Sequence, residues 1–340
     1  MIPSCFSNPN TRVVAGSSNS SENLTTCTYQ AAELFSSWSS ARYVTLTWSK
    51  SRNSHSLTIY VPDTLTIAIS LLTPALSSIF KSRPRSGSKS IFLPTTNNGV
   101  GRDLHKVKVL WEFSRAKFCQ SSAAPESGFY VAILCDGELQ FFVGDNVKEK
   151  LTTKQRATVE AAAVVSRREH VFGHRSYKSS RVELLGLKRD ILIECYSGML
   201  KVKVDGQTCL VVKRLAWKFR GNERIVIGGV EVEFYWDVFN WVNTGRPEGH
   251  GLFMFLVGEG SGAWPEMVGP EKKLMKKKSC SVTPLPASLS PTQSCSSVLQ
   301  WAEESSDGSC RRWRSSSSDH IMSSARNAGF SLLMYAWRKD

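Results

Sequence analysis

The stretch CLVVKRLAWKFRGNERIVIGGVEVEFYWDVFNW, Cys209–Trp241, decides the fold because its apolar residues recur with a period of two. Leu215, Trp217 and Phe219 alternate with Arg214, Ala216, Lys218 and Arg220, the pattern of a half-buried strand with one aromatic and one cationic face. Gly221-Asn222 supplies turn chemistry, Ile225 and Ile227 resume the apolar face, and Gly228-Gly229 suits a tight hairpin. Val230, Val232, Phe234, Trp236 and Val238 then alternate with Glu231, Glu233, Tyr235 and Asp237. A three-stranded meander with an aromatic core is expected. Trp217 belongs inside it, so Trp217→Ala is expected to cost about 3 to 5 kcal/mol.

The same period extends outward in both directions. Val44, Leu46 and Trp48 alternate with Thr45 and Thr47, a hairpin leads to Leu57, Ile59 and Val61, and Leu65, Ile67 and Ile69 follow. Val107, Val109, Trp111 and Phe113 make a further strand. Asp136-Gly137 and Asp205-Gly206 each mark a two-residue hairpin between apolar runs. Asn146–Ala163, rich in Lys, Glu, Gln and Ala, is the one helical window. With such short links the fold is expected to be all-β: a large, mostly antiparallel β-sandwich, or a closed barrel, of about a dozen strands with one short helix and disordered ends.

A composition with 41% hydrophobic residues and ten Trp supports one large core without a disulfide framework. Nine cysteines stand singly with no CxxC pair, the usage of reduced thiols, and the amino terminus lacks a secretory start. The chain is therefore expected in the cytoplasm or nucleus, not secreted, with no membrane span. Residues 1–22, rich in Ser and Asn, read as a disordered arm, and 23–265 as a single β-rich domain. Residues 266–340 read as a basic, Ser-rich disordered tail, within which 329–337, GFSLLMYAW, is apolar enough to dock as an added edge strand or a partner-binding peptide.

No P-loop, dinucleotide fingerprint, HExxH or GxSxG occurs, so no catalytic residue, cofactor or metal is assigned. The densest titratable cluster is Arg167-Arg168-Glu169-His170, in which alternation places Arg168 and His170 on one face and Arg167 and Glu169 on the other. An ion-paired sheet surface is the expectation, since a general base there needs an orienting partner from elsewhere. His105, His170 and Cys195 are the candidates for a Cys-His pair, although nothing local lowers the thiol pKa. A net charge of +14 favours weak nonspecific anion binding. Arg214, Lys218, Arg220 and Arg224 form a candidate interaction face unless acids such as Glu231 and Glu233 lie opposite. Lys272, Lys273, Lys276, Lys277 and Lys278 form a candidate basic tether.

Several segments carry a resemblance. VTLTWSK at Val44–Lys50, VSRREHVFG at Val165–Gly173, KVDG at Lys203–Gly206, VKRLAWKFRGNERI at Val212–Ile225 and VEFYWDVFNW at Val232–Trp241 resemble the plant family of uncharacterised proteins known as domain of unknown function 868. FMF at Phe253–Phe255 and the GFSLLMYAW ending continue it. The polar insertion Ala31–Ser40 departs from the compact spacing expected between the first two strands, which leaves their pairing an open question. The resemblance implies plant origin and no activity to carry over. The expected function is a non-enzymatic protein-interaction module with a regulatory tail, binding another protein through the sheet face or the tail. The alternative is a sandwich or barrel binding an apolar or sugar-like small ligand, and an enzyme comes third.

Overall fold

The computed structural model describes residues 23–31, 42–51, 54–71, 85–96, 102–119, 122–145, 162–173, 176–242, 250–258, 269–279 and 329–338. The expected arm 1–22, and all but the end of the expected helix Asn146–Ala163, lie outside them.

The described residues begin with β1 (Asn23–Gln30), β2 (Tyr43–Lys50), β3 (His55–Val61), β4 (Leu65–Ser70), β5 (Ser86–Thr96) and β6 (Arg102–Glu112). The short β7 (Lys117–Phe118) and β8 (Pro125–Ser127) precede β9 (Tyr130–Cys135), β10 (Glu138–Gly144), β11 (Ala163–Gly173) and β12 (Ser176–Leu184). There follow β13 (Leu187–Tyr196), β14 (Met199–Val204), β15 (Gln207–Val212), β16 (Arg220–Ile227) and β17 (Val230–Asp237). A one-turn helix α1 (Phe239–Val242), β18 (His250–Val257), helix α2 (Pro270–Ser279) and β19 (Phe330–Arg338) complete it.

One nine-stranded sheet, in the order β16-β17-β18-β19-β11-β1-β2-β3-β4, is shared by two sandwiches. The four-stranded sheet β10-β9-β6-β5 covers one half of it, and the four-stranded sheet β12-β13-β14-β15 covers the other. The architecture is therefore the expected all-β sandwich, and no described sheet closes into a barrel. The first core packs Trp48 edge-on against Phe113 and Phe129, with centroids 5.4 and 5.8 Å away. The second stacks Phe234 between Trp236 and Phe253. Burial of such aromatic side chains is the dominant stabilising contribution.

Hairpin chemistry sets much of the register. Asp136 and Gly137 take φ of 48° and 90°, the positive pair that a two-residue turn of matching twist requires. β1 and β2 pair along their whole length, from Asn23↔Lys50 to Gln30↔Tyr43, so the insertion between them leaves the ladder intact.

Three expectations need correction. Arg214–Phe219 is not a strand: Arg214 adopts φ of 57°, and the Trp217 and Lys218 amides both donate to the Arg214 carbonyl, so the chain turns there. Gly221-Asn222 is not a turn but lies inside β16, opposite Trp236 and Tyr235. Glycine is needed at 221 because a Cβ there would sit 2.1 Å from the Trp236 ring. The tail departs from disorder at two places, since Pro270–Ser279 is helical and Phe330–Arg338 forms β19 in the interior of the large sheet rather than at its edge.

Candidate interaction face and buried polar cluster

The turn after β15 is held at both ends. Leu215, 4% exposed, anchors it in the second core, and its amide donates to the Gly198 carbonyl at 2.7 Å. Phe219 packs against the same core, and Trp236 Nε1 donates to the Lys218 carbonyl at 2.9 Å. Between these anchors Trp217 is 85% exposed, against the expectation that it lies in the core. The reason is local: the turn closed on the Arg214 carbonyl breaks the alternation, so Leu215 and Phe219 reach the second core while Trp217 between them stands out.

The four candidate cations divide. Arg220 donates through Nε to Asp237 at 2.8 Å and lies over the Phe239 ring at 5.5 Å. Arg224 faces Glu233 across the ladder at 3.7 Å, whereas Glu231 faces Val226. Arg214 and Lys218 are exposed in the turn, and among the described residues no carboxylate pairs with either. They flank the exposed indole. Of the candidate tether, Lys272 and Lys273 are exposed on α2, and Lys276, Lys277 and Lys278 follow in its C-terminal half.

The Arg167–His170 run lies on β11, at the middle of the large sheet. Its alternation is as the sequence implies, but both faces are buried, which corrects the expected sheet surface. On the face between the sandwiches, Arg167 Nη2 meets Glu169 Oε1 at 2.5 Å, and Ser179 Oγ donates to Glu169 Oε2. Arg167 Nη1 reaches Cys27 Sγ at 3.9 Å. Burial pushes the Cys27 thiol up, so it stays protonated despite the guanidinium beside it.

On the opposite face the orienting partner does come from elsewhere in the chain. Glu271, at the first turn of α2, inserts with no exposed surface. Its Oε1 accepts from Arg168 Nη1 at 3.0 Å and from His170 Nε2 at 3.2 Å, and its Oε2 accepts from Thr26 Oγ1 at 3.3 Å. Burial alone would raise the Glu271 carboxyl, but Arg168, His170 and Thr26 outweigh it and hold the group below its ordinary value. Trp337 Nε1 points at His170 Nδ1 at 3.2 Å. An indole N–H only donates, so Nδ1 must accept and the proton of a neutral His170 sits on Nε2, facing Glu271. Tyr335 stacks on the His170 ring at 4.7 Å. Each group of this cluster is committed to a neighbour, the geometry of a structural clamp rather than of a base awaiting substrate.

The expected Cys-His candidates do not meet, since His105 lies on β6, His170 on β11 and Cys195 on β13, in three different sheets. His105 instead lies near Cys135 and Asp136, with their donor atoms within 4.8 Å of one another. The His105 Nδ1 to Asp136 Oδ2 distance is 2.6 Å, a hydrogen bond, and Asp136 Oδ1 accepts the Lys106 amide at 2.8 Å. Ligand atoms about 2.0 to 2.3 Å from a tetrahedral ion stand farther apart than that. The trio fits a brace on the hairpin. Burial pushes the Cys195 thiol well up, which removes its thiolate chemistry.

A family model described as plant protein of unknown function, DUF868, matches residues 20–338. The chain belongs to this family. No curated protein and no solved structure matches the DUF868 chain. Among its described residues no helix is long and apolar enough to cross a membrane.

Glu271 is the residue of this DUF868 protein that sequence reasoning missed. A signal was present: Gly269-Pro270-Glu271 places proline at the first helical position and an acid in the first turn, where both are favoured. Leu274, one turn on, is buried beside it while Lys272 and Lys273 face out, so the helix is amphipathic.

Proposed function

We propose that this DUF868 protein is a non-catalytic interaction module that engages another protein through the turn Lys213–Phe219. The observation that carries the reading is Trp217, a large aromatic side chain held out on a turn whose two ends are fixed in the core. Preorganised aromatic anchors contribute disproportionately to binding, because little conformational entropy is lost when they dock. Arg214 and Lys218 beside it favour a partner segment that pairs an apolar pocket or side chain with acidic residues. The five described cysteines are free, which supports a reducing compartment, cytoplasm or nucleus, as the place of action.

The test is affinity capture from plant tissue with the wild-type chain, followed by measurement of the recovered partner's affinity. Trp217→Ala is expected to weaken binding at least about 30-fold, the effect of removing a hot-spot side chain. Arg214→Glu with Lys218→Glu should weaken it further at low salt than at high salt. Unchanged affinity in both variants, with the wild-type melting temperature, would overturn the assignment.

A further inference from the structure

We infer that the groove between β18 and β11 is a strand-binding site, and that it accepts β19 from a second copy of the chain as well as from its own. Among the described strands, the two halves of the large sheet, β16-β17-β18 and β11-β1-β2-β3-β4, are joined in the ladder only through β19. Every other described element comes from residues 23–279, so both walls of the groove precede in sequence the strand that fills it. β19 pairs antiparallel with β18 from Val257↔Phe330 to His250↔Trp337, and parallel with β11 from Ser166↔Ser331 to Gly173↔Arg338. This is the one parallel ladder among the described strands, a pairing that a hairpin cannot make and that needs a long connection.

Recognition is contained within the strand. Leu332 and Met334 enter the second sandwich core, while Leu333 and Tyr335 pack on the other face, all at most 2% exposed. Trp337 donates to His170, and Ser331 Oγ donates to Ser166 Oγ at 3.1 Å. Both faces and both edges of the strand are thus read by the groove, the mode of an extended peptide added to a sheet. Residues 280–329 separate α2 from β19, a length that spans on the order of 150 Å when extended. The contacts are identical whichever copy supplies the strand, so effective concentration decides between them. Without an occupant, β18 and β11 would each present an open, largely apolar edge, and this drives capture of any matching strand.

The experiment uses the full chain with a specific protease sequence placed between Ser305 and Arg314. After cleavage, the C-terminal fragment should remain bound, and an excess of fluorescent peptide spanning Gly329–Arg338 should displace it. A peptide carrying Leu333→Lys and Met334→Lys should bind at least about 100-fold more weakly, since it would bury unpaired charge. Two full-length chains bearing different tags, refolded together at high concentration, should yield mixed dimers, and mixing after separate refolding should not. Loss of the fold on cleavage would show that residues 23–279 hold no site. Displacement only on global unfolding, equal binding of the Lys peptide, or monomers alone from concentrated refolding would each overturn the inference.

Discussion

The turn Lys213–Phe219 and the C-terminal elements Pro270–Ser279 and Phe330–Arg338 exchange the places that composition suggests for them. Trp217, set in an aromatic alternation, is 85% exposed, whereas Glu271, set in a lysine run, has no exposed surface. The difference lies in long-range partners. Glu271 finds Arg168, His170 and Thr26, residues more than a hundred positions away, and β19 finds a groove between two strands. Trp217 has the right period, but the turn at Arg214 takes it off the face that Leu215 and Phe219 bury. Periodicity reports which side chains would share a face of a regular strand, and only the folded backbone reports whether that strand is there and covered.

The sharpest way to break this comparison is to charge the C-terminal strand. Met334 is fully buried in the second core, and aspartate there would be an unpaired carboxylate among apolar groups. Met334→Asp is expected to destabilise by more than about 5 kcal/mol, comparable with the whole stability of many domains. Denaturant unfolding checks this. A variant that unfolds like the wild type would mean that the strand is dispensable to the sheet.

Next in size is the clamp under α2. Glu271→Ala leaves the buried Arg168 guanidinium without its carboxylate and is expected to cost about 3 to 5 kcal/mol. Arg168→Met with Glu271→Leu removes both charges and should recover most of that loss, since apolar replacement of a buried pair is often neutral or better. If the double variant were as unstable as the single one, packing of the helix rather than charge would be its function.

Acid should reach the C-terminal side before it reaches the turn. His250, which packs on Trp337 at 4.5 Å, is pushed down to about 4 by burial and by neighbouring His170, from an ordinary value of 6.5. The unfolded chain therefore takes up this proton first. Stability is fully present above pH 6.5 and falls as the pH drops toward 4, by about 2 to 3 kcal/mol. Glu271, held low, adds a further loss below the ordinary carboxylate range. His250→Gln should flatten the upper window and leave the lower one. A pH-independent unfolding midpoint from 6.5 to 4 would contradict the burial of His250.

Much of the fold was legible because hairpin strands carry their own code. Asp136-Gly137, Asp205-Gly206 and Gly228-Gly229 all take positive φ, and the apolar sets of β2, β3, β4, β6 and, apart from the exposed Val230, β17 face the cores as their alternation implies. The division of Arg167 and Glu169 from Arg168 and His170 was legible for the same reason. The start of β16 was not, since a left-handed residue at Arg214 leaves no mark in an alternating sequence. Nor was the clamp, because its carboxylate lies outside the strands and its burial depends on where a helix docks. In the turn the cations were visible, but their division was not: Arg220 and Arg224 meet acids through the register of β17, and Arg214 and Lys218 lie beyond that ladder.

The smallest effect is the most discriminating for the exposed side of the comparison. Trp217 contributes little apolar burial, so Trp217→Ala should change stability by less than about 0.5 kcal/mol, as for surface substitutions free of special backbone roles. The aromatic alternation alone would require about 3 to 5 kcal/mol for the same change. The two readings therefore differ several-fold in a single unfolding experiment. Fluorescence separates them again: an exposed indole is open to iodide quenching, and its removal should lower the quenchable fraction while the buried emission of Trp48 and Trp236 persists. Trp236→Ala serves as the internal reference, because that ring covers Gly221 and lies at 5% exposure in the second core. Equal destabilisation by the two substitutions would return Trp217 to the core and remove the anchor on which the interaction reading rests.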